Sequence, residues 1–200
     1  MHDLSREMPS KSEFEEFVAE IEKANSRAAV LVLCAFLDNI LERAIALNFI
    51  PLNREKRDSL FRDKGAPLSP FSAKILLAHA IGILDNEQRS QLDRIRSIRN
   101  AFAHSARTID FDNNIINDEC KKLDPQRLLK QTYVPTTGSA RERFIITAIM
   151  ISTDIMHYTS ISLAKPAPLQ DKSGQQRPLL TRSLDYMKKF IRCLRQSSPM

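Results

Sequence analysis

Tryptophan is absent from this chain, and glycine is scarce, with 4 residues in 200. So few glycines argue against a glycine-lined phosphate loop and against a fold built on tight β turns. The three cysteines, Cys34, Cys120 and Cys193, lie far apart and have no cysteine or histidine partner at ligand spacing. We therefore expect free thiols, no metal site and no cofactor.

Long apolar segments are also missing. No uninterrupted apolar run reaches the roughly 18 residues that a membrane span requires, and the N-terminal residues are too polar for a signal peptide. The hydrophobic content of 42% is nevertheless sufficient for a compact core of aliphatic side chains. We predict no membrane span and a cytoplasmic location.

The main pattern in the sequence is the helical spacing of its apolar residues. Strand-like alternation and internal repeats are not evident, so the sequence predicts an all-α fold. A capping-box pattern from Ser12 to Glu15 marks the first helix start. Pro70 is expected as the first residue of another helix. Further helices are predicted at residues 26–49, 54–61, 71–82 and 143–163. Two more are predicted, one capped by Asp85 or Asn86 and the other by Asp112.

Positive charge is concentrated near the C-terminus. The net charge is +6, and residues 165–200, with eight Lys or Arg and two Asp, account for all of it. We predict a helical domain at 12–164, a linker at 165–178 and a basic amphipathic helix at 179–195. The basic helix could contact nucleic-acid phosphates, lie on an anionic membrane surface, or dock on the bundle. Its candidate phosphate contacts are Lys188, Lys189, Arg192 and Arg195.

The string IRNAFAHS, Ile98–Ser105, has the clearest chemical potential in the chain. In an ideal helix whose apolar stripe contains Ile98, His104 lies opposite the core and Arg99 lies at the edge of the stripe. The two side chains are then about 140° apart. They can reach one phosphate only if the helix unwinds near Ala103, or if two copies of the chain face each other.

Ribonuclease chemistry requires few groups beyond those of this string. A neutral imidazole such as that of His104 can take a proton from a ribose 2′-OH. The guanidinium of Arg99 can clamp the phosphate, and Asn100 can fix the imidazole or the phosphate. Arg96 shares the outward face and is a candidate nucleic-acid contact. The structural alternative is that His104 caps helix carbonyls and Arg99 pairs with an acid of a neighbouring helix.

The RNAFAH segment resembles the signature of HEPN domains, which are helical bundles found in many ribonucleases. A longer set of blocks resembles the mannitol operon repressor family over about residues 26–155. These blocks are RAAVLVLCAFLDNILER (Arg27–Arg43), GAPLSPFSAKILLAHAIGIL (Gly65–Leu84), IRNAFAHS and IDFDNNIINDECKKL (Ile109–Leu123).

The resemblance implies an HEPN-like helical bundle that regulates transcription through a macromolecular partner, without a recognisable DNA-binding module. From the HEPN pattern, Arg99, Asn100 and His104 are implied as catalytic residues of a metal-independent endoribonuclease, which is the alternative function. A non-catalytic antitoxin or scaffold protein is a third possibility. We expect a homodimer and a protein or nucleic-acid partner, with RNA favoured over direct DNA readout. The electrically neutral core departs from the basic cleft of HEPN ribonucleases.

Two other segments allow a functional or a structural interpretation. In SPFSAK, Ser69, Ser72 and Lys74 could bind an anion at a helix start, or the segment could be a helix cap with a buried Phe71. His79, which is flanked by alanines, is expected in the core or at an interface.

Overall fold

The computed structural model describes residues 8–128 and 138–164, and every regular element within these ranges is a helix, which confirms the all-α class. The predicted linker at 165–178 and basic helix at 179–195 lie outside the described residues, as does Cys193. The helices are α1 (Lys11–Lys23), α2 (Ser26–Ala46), α3 (Arg54–Phe61), α4 (Phe71–Ala80), α5 (Asn86–His104), α6 (Asn114–Lys121), α7 (Pro125–Leu128) and α8 (Ala140–Ala164).

Helices α2 and α8 pack against each other at the centre of the bundle. Leu33, Leu37 and Leu41 of α2 are fully buried, and α8 is buried at every residue from 144 to 152. Buried hydroxyls of α8 donate to carbonyl oxygens one turn earlier, so they need no partner on another helix. These donors are Thr147, Ser152 and Thr159. Helix α8 can therefore bury these three positions without leaving their hydroxyls unpaired.

The segment Ala140–Leu163 of α8 is long and apolar enough, by length and composition, to cross a membrane. Two thirds of its most apolar part is buried inside the bundle. A core helix of a soluble protein has the same properties. The absence of a membrane span therefore stays a prediction from the sequence.

Helix α5 lies beside α2 and runs in the opposite direction. Arg27, at the start of α2, donates from Nη2 to the carbonyl oxygens of Ser105 and Arg107, which follow the end of α5, at 3.0 and 2.7 Å. The predicted apolar stripe of α5 is confirmed, because its four members are all buried. They are Leu92, Ile95, Ile98 and Phe102.

Some helix ends differ from the prediction. The first helix is capped by Ser10 rather than Ser12, since Ser10 Oγ accepts from the Glu13 N–H at 3.3 Å and Glu13 Oε2 accepts from the Ser10 N–H at 2.7 Å. The sequence repeats the Ser-x-x-Glu pattern two residues apart, and the earlier copy adds half a turn. Pro70 is the N-cap of α4 rather than its first residue.

Charged side chains attach α3 to the bundle. Glu42 of α2 is 3% exposed, and its Oε1 lies 3.2 Å from Arg57 Nη2 and 3.1 Å from Arg62 Nη2. Lys74 of α4 is equally buried and lies 2.8 Å from Asp38 and 3.6 Å from Glu42. Because its ammonium group is neutralised in this way, Lys74 does not serve an anion at the start of α4.

Candidate functional site

The last two turns of α5 carry the three residues for which the sequence predicts catalysis. Arg99 and His104 are exposed, and Asn100 is half-buried. Arg99 Nη1 donates to Asn100 Oδ1 at 3.0 Å. The His104 side chain forms no hydrogen bond or ion pair with the described residues, and the N–H that bonds back to the Ala101 carbonyl belongs to Ser105. The structure thus brings Arg99 and Asn100 together and leaves the imidazole in solvent.

Arg99 lies on the side of α5 that faces α2. Burial raises the pKa of Asp38 on α2, and the positive charges of Lys74 and, to a smaller extent, Arg99 oppose that rise. No described acid lies within 4.0 Å of the Arg99 guanidinium. Arg99 therefore does not form the ion pair with a neighbouring helix that the structural alternative predicts. Its charge acts on Asp38 only through space, which is a weaker interaction.

Helix α5 is continuous from Asn86 to His104. It does not unwind near Ala103, so Arg99 and His104 of one chain differ in direction by about 140°. Of the two arrangements that would place both side chains on one phosphate, only the meeting of two copies is compatible with this helix. Within one chain the motif is incomplete as a phosphate site.

Arg27 positions the end of α5, and the sequence analysis did not identify it. Its bonds to the Ser105 and Arg107 carbonyls fix the turn that follows His104. Ser105 Oγ completes this turn by donating to the Arg107 carbonyl at 2.9 Å and accepting from the Arg107 N–H at 3.2 Å. The available signal was an arginine in the first turn of a helix, where the helix dipole disfavours positive charge.

Arg96 is less available than the sequence suggested. Its Nε lies 3.6 Å from Asp93 Oδ1, and the side chain is 36% exposed. The other predicted nucleic-acid contacts, Lys188, Lys189, Arg192 and Arg195, lie outside the described residues. Of the predicted nucleic-acid contacts, Arg96 alone lies within the described residues, and it is already engaged in an ion pair.

A groove of about 500 Å³ lies along the outward face of α5, beside α6. We call it the α5 groove. It contains none of the predicted catalytic residues, although it ends one turn before Asn100. Its lining residues are Asn86, Arg89, Ser90, Asp93, Arg94, Ser97 and Glu119.

His79, Cys34 and Cys120 have structural environments. His79 Nε2 lies 2.8 Å from Asn86 Oδ1, and its Nδ1 lies 3.4 Å from Arg89 Nη1, so it joins α4 to α5 as an interface histidine. Burial raises the pKa of the Cys34 and Cys120 thiols to about 12, which makes both unreactive. Among the described residues, no three His, Cys, Asp or Glu side chains are grouped so as to hold a metal ion.

Comparison of the chain with models of known protein families, with curated proteins and with solved structures finds no match. The family resemblance therefore depends on the sequence blocks quoted above.

Proposed function

We propose that this protein is a transcriptional regulator of the mannitol-operon-repressor type, which acts as a homodimer by binding a macromolecular partner. The observation that supports this proposal is that the blocks behind the resemblance form one connected unit. Residues 65–84 include α4 and residues 109–123 include α6, and α5 packs against both and against α2. The fold that we propose with this function is an HEPN-like bundle followed by a basic amphipathic helix.

Transcript levels in a deletion strain test the regulatory function. Deletion should change a defined set of transcripts, and expression of the wild-type chain should restore them. The double variant R99Q/H104A should restore them equally well, because partner binding does not need the chemistry of the motif. Unchanged transcripts, together with a purified protein that binds no macromolecule, would overturn the proposal.

A second candidate function is that of a metal-independent endoribonuclease. The observation that favours it is the exposure of Arg99 and His104 at the end of a continuous helix, with the His104 side chain unpaired among the described residues. A residue that only capped the helix or closed an ion pair would be engaged with its own chain. An imidazole in solvent is free to meet a substrate proton.

The proposed reaction is attack of a ribose 2′-oxygen on the adjacent phosphorus. His104 of one copy removes the 2′-OH proton, and Arg99 of the other copy neutralises the charge that develops on the phosphorane oxygens. Asn100 orients the guanidinium through the bond seen here. The new bond joins the 2′-oxygen to phosphorus, and the bond to the 5′-oxygen breaks. The leaving 5′-oxygen takes a proton from water, the His104 imidazolium returns its proton to the solvent, and a 2′,3′-cyclic phosphate remains.

Cleavage of labelled RNA in EDTA tests this second function. The wild-type chain should cleave, H104A should lose activity by about 100-fold or more, and H79A should retain it, because His79 lies between α4 and α5. Circular dichroism melts should show that H104A stays folded. If the wild-type protein leaves a panel of structured and unstructured RNAs intact, this function is excluded. An absence of both cleavage and transcript changes would favour a scaffold or antitoxin.

A further inference from the structure

The α5 groove is lined by two arginines and two acids, and further cations beside the groove pair with those acids. Asp93 lies 3.9 Å from Arg89 and 3.6 Å from Arg96. Glu119 forms an ion pair with Lys122, the residue that follows α6. Both acids are therefore already paired with cations.

Arg94 is the lining residue whose charge is not neutralised in this way. Its side chain is half-buried and forms no ion pair or hydrogen bond with the described residues. A guanidinium that is partly removed from water and has no counter-charge attracts an anion. The groove therefore has one cation that is available to a ligand.

The groove is continuous with the motif. Ser97, at its end, lies three residues before Asn100 and seven before His104, which is the spacing of one helix face. From Ser90 to His104 the helix rises about 21 Å. An extended ligand lying in the groove would thus have one end at the imidazole.

The lining residues define the chemistry of that ligand. Ser90 and Ser97 supply hydroxyls, Asn86 supplies an amide and Arg94 supplies a guanidinium, all of which donate to phosphate oxygens and riboses. None of the lining residues is aromatic, so base stacking does not contribute and little sequence preference is expected. This combination fits a chain of phosphates better than a small apolar molecule.

We propose that the α5 groove binds the sugar–phosphate backbone of single-stranded RNA through Arg94 and directs the strand towards Asn100 and His104. The destination of the strand rests on the endoribonuclease function proposed above. The binding itself does not depend on cleavage, so the two can fail separately.

Fluorescence anisotropy with a short labelled oligouridine tests the groove. The H104A chain is used in EDTA, so that binding is measured without cleavage. Adding R94Q should weaken binding about fivefold to tenfold. It should also make the negative slope of log affinity against log salt less steep, by about 0.7. R94K should retain most of the affinity because it keeps the charge. R54Q, an exposed arginine on α3, is the matched control and should bind like the parent.

Three results would overturn the inference. The first is an absence of RNA binding even at about 50 mM salt. The second is an equal effect of R94Q and R54Q, which would place the RNA elsewhere on the protein. The third is displacement of the RNA by polyglutamate with the same dependence on Arg94, which would identify an acidic polypeptide as the ligand. Equal binding of the matching DNA strand would support recognition through phosphates.

The two proposals are separated by combining this assay with cleavage. Loss of cleavage in H104A together with no effect of R94Q on binding would leave the nuclease standing without the groove. Binding that depends on Arg94 in a protein that never cleaves RNA would leave the groove standing without the nuclease. Thermal melts of R94Q and R94K must match those of the parent chain.

Discussion

Arg141 Nη2, near the start of α8, donates to the carbonyl oxygen of Ala24, just after α1, at 2.7 Å. The same nitrogen lies 3.0 Å from the carbonyl oxygens of Ile21 and Glu22. The last carbonyls of a helix have no partner within the helix, so an arginine from elsewhere can satisfy several of them. The guanidinium also lies 5.9 Å from the centre of the Phe111 ring. One side chain thus joins the first and last described helices.

Replacement of this arginine should loosen α1. R141M removes the donor and keeps an unbranched apolar side chain, so we expect the free energy of unfolding to fall by about 2 kcal/mol. Urea denaturation measures the change. Hydrogen exchange should show faster exchange at the α1 amides than elsewhere in the bundle. R54M is the control, and an equal loss of stability in that variant would show that Arg141 has no special role.

Lys74 should be among the most sensitive positions in the chain. K74M leaves Asp38 and Glu42 without their shared cation, and breaking a buried pair in this way costs about 3 kcal/mol or more. Adding D38N should recover part of the loss, because K74M removes the ion-pair partner of Asp38, whereas Glu42 keeps Arg57 and Arg62. A double-mutant cycle by urea denaturation measures this coupling. Strictly additive effects would contradict the ion network.

Asp154 should make stability depend on pH. Burial raises its pKa from the ordinary 3.8 to about 6, Asp85 adds to the rise, and the bond from Gln88 opposes it. Between these two values the folded protein binds the proton more tightly than the unfolded chain does. This contribution to the free energy of unfolding is therefore greatest below pH 4 and is lost as the pH rises through 6.

D154N should accordingly stabilise the protein at pH 7.5 by about 1 to 3 kcal/mol, and the advantage should disappear near pH 4. Thermal melts of the variant and the wild type across this range measure the difference, which cancels the titration of other groups. D112N, at an exposed aspartate, is the control. A constant difference between D154N and wild type at all pH values would contradict the raised pKa.

Mixing two inactive variants tests whether the nuclease site spans two copies. R99Q and H104A are each expected to be inactive. A mixed dimer of the two contains one intact pair, Arg99 from one chain and His104 from the other, so random mixing should restore about one quarter of the wild-type activity. Differently tagged chains, co-expressed and purified, provide the sample. A fully inactive mixture alongside an active wild type would place the site within a single chain.

Much of the architecture could be predicted from the periodicity of apolar residues in the sequence. The apolar stripe of α5 and the bounds of α3 follow from local spacing and capping, which are properties of neighbouring residues. The bond pattern at Ser10 could not be separated from that at Ser12, because both fit the same local rule. Helix α7 was missed because its four residues are too short to show a period.

The contacts around the candidate site could not be predicted from the sequence. Arg27 and Ser105 are 78 positions apart, and Lys74 and Asp38 are 36 apart, so only the folded chain shows that they meet. Arg99 was placed at the edge of the apolar stripe and is found exposed. Its long side chain can leave an apolar backbone position and carry the charge into water.

The back-bonded hydroxyls of α8 have a consequence for how the fold tolerates change. Thr147, Ser152 and Thr159 satisfy their own polar groups, so at these positions the central helix requires no matching donor or acceptor from its neighbours. The helices around it are then constrained there by shape and volume rather than by polar complementarity. Apolar residues facing α8 can therefore be exchanged for one another in compensating pairs, which leaves the outer faces free to acquire new binding partners.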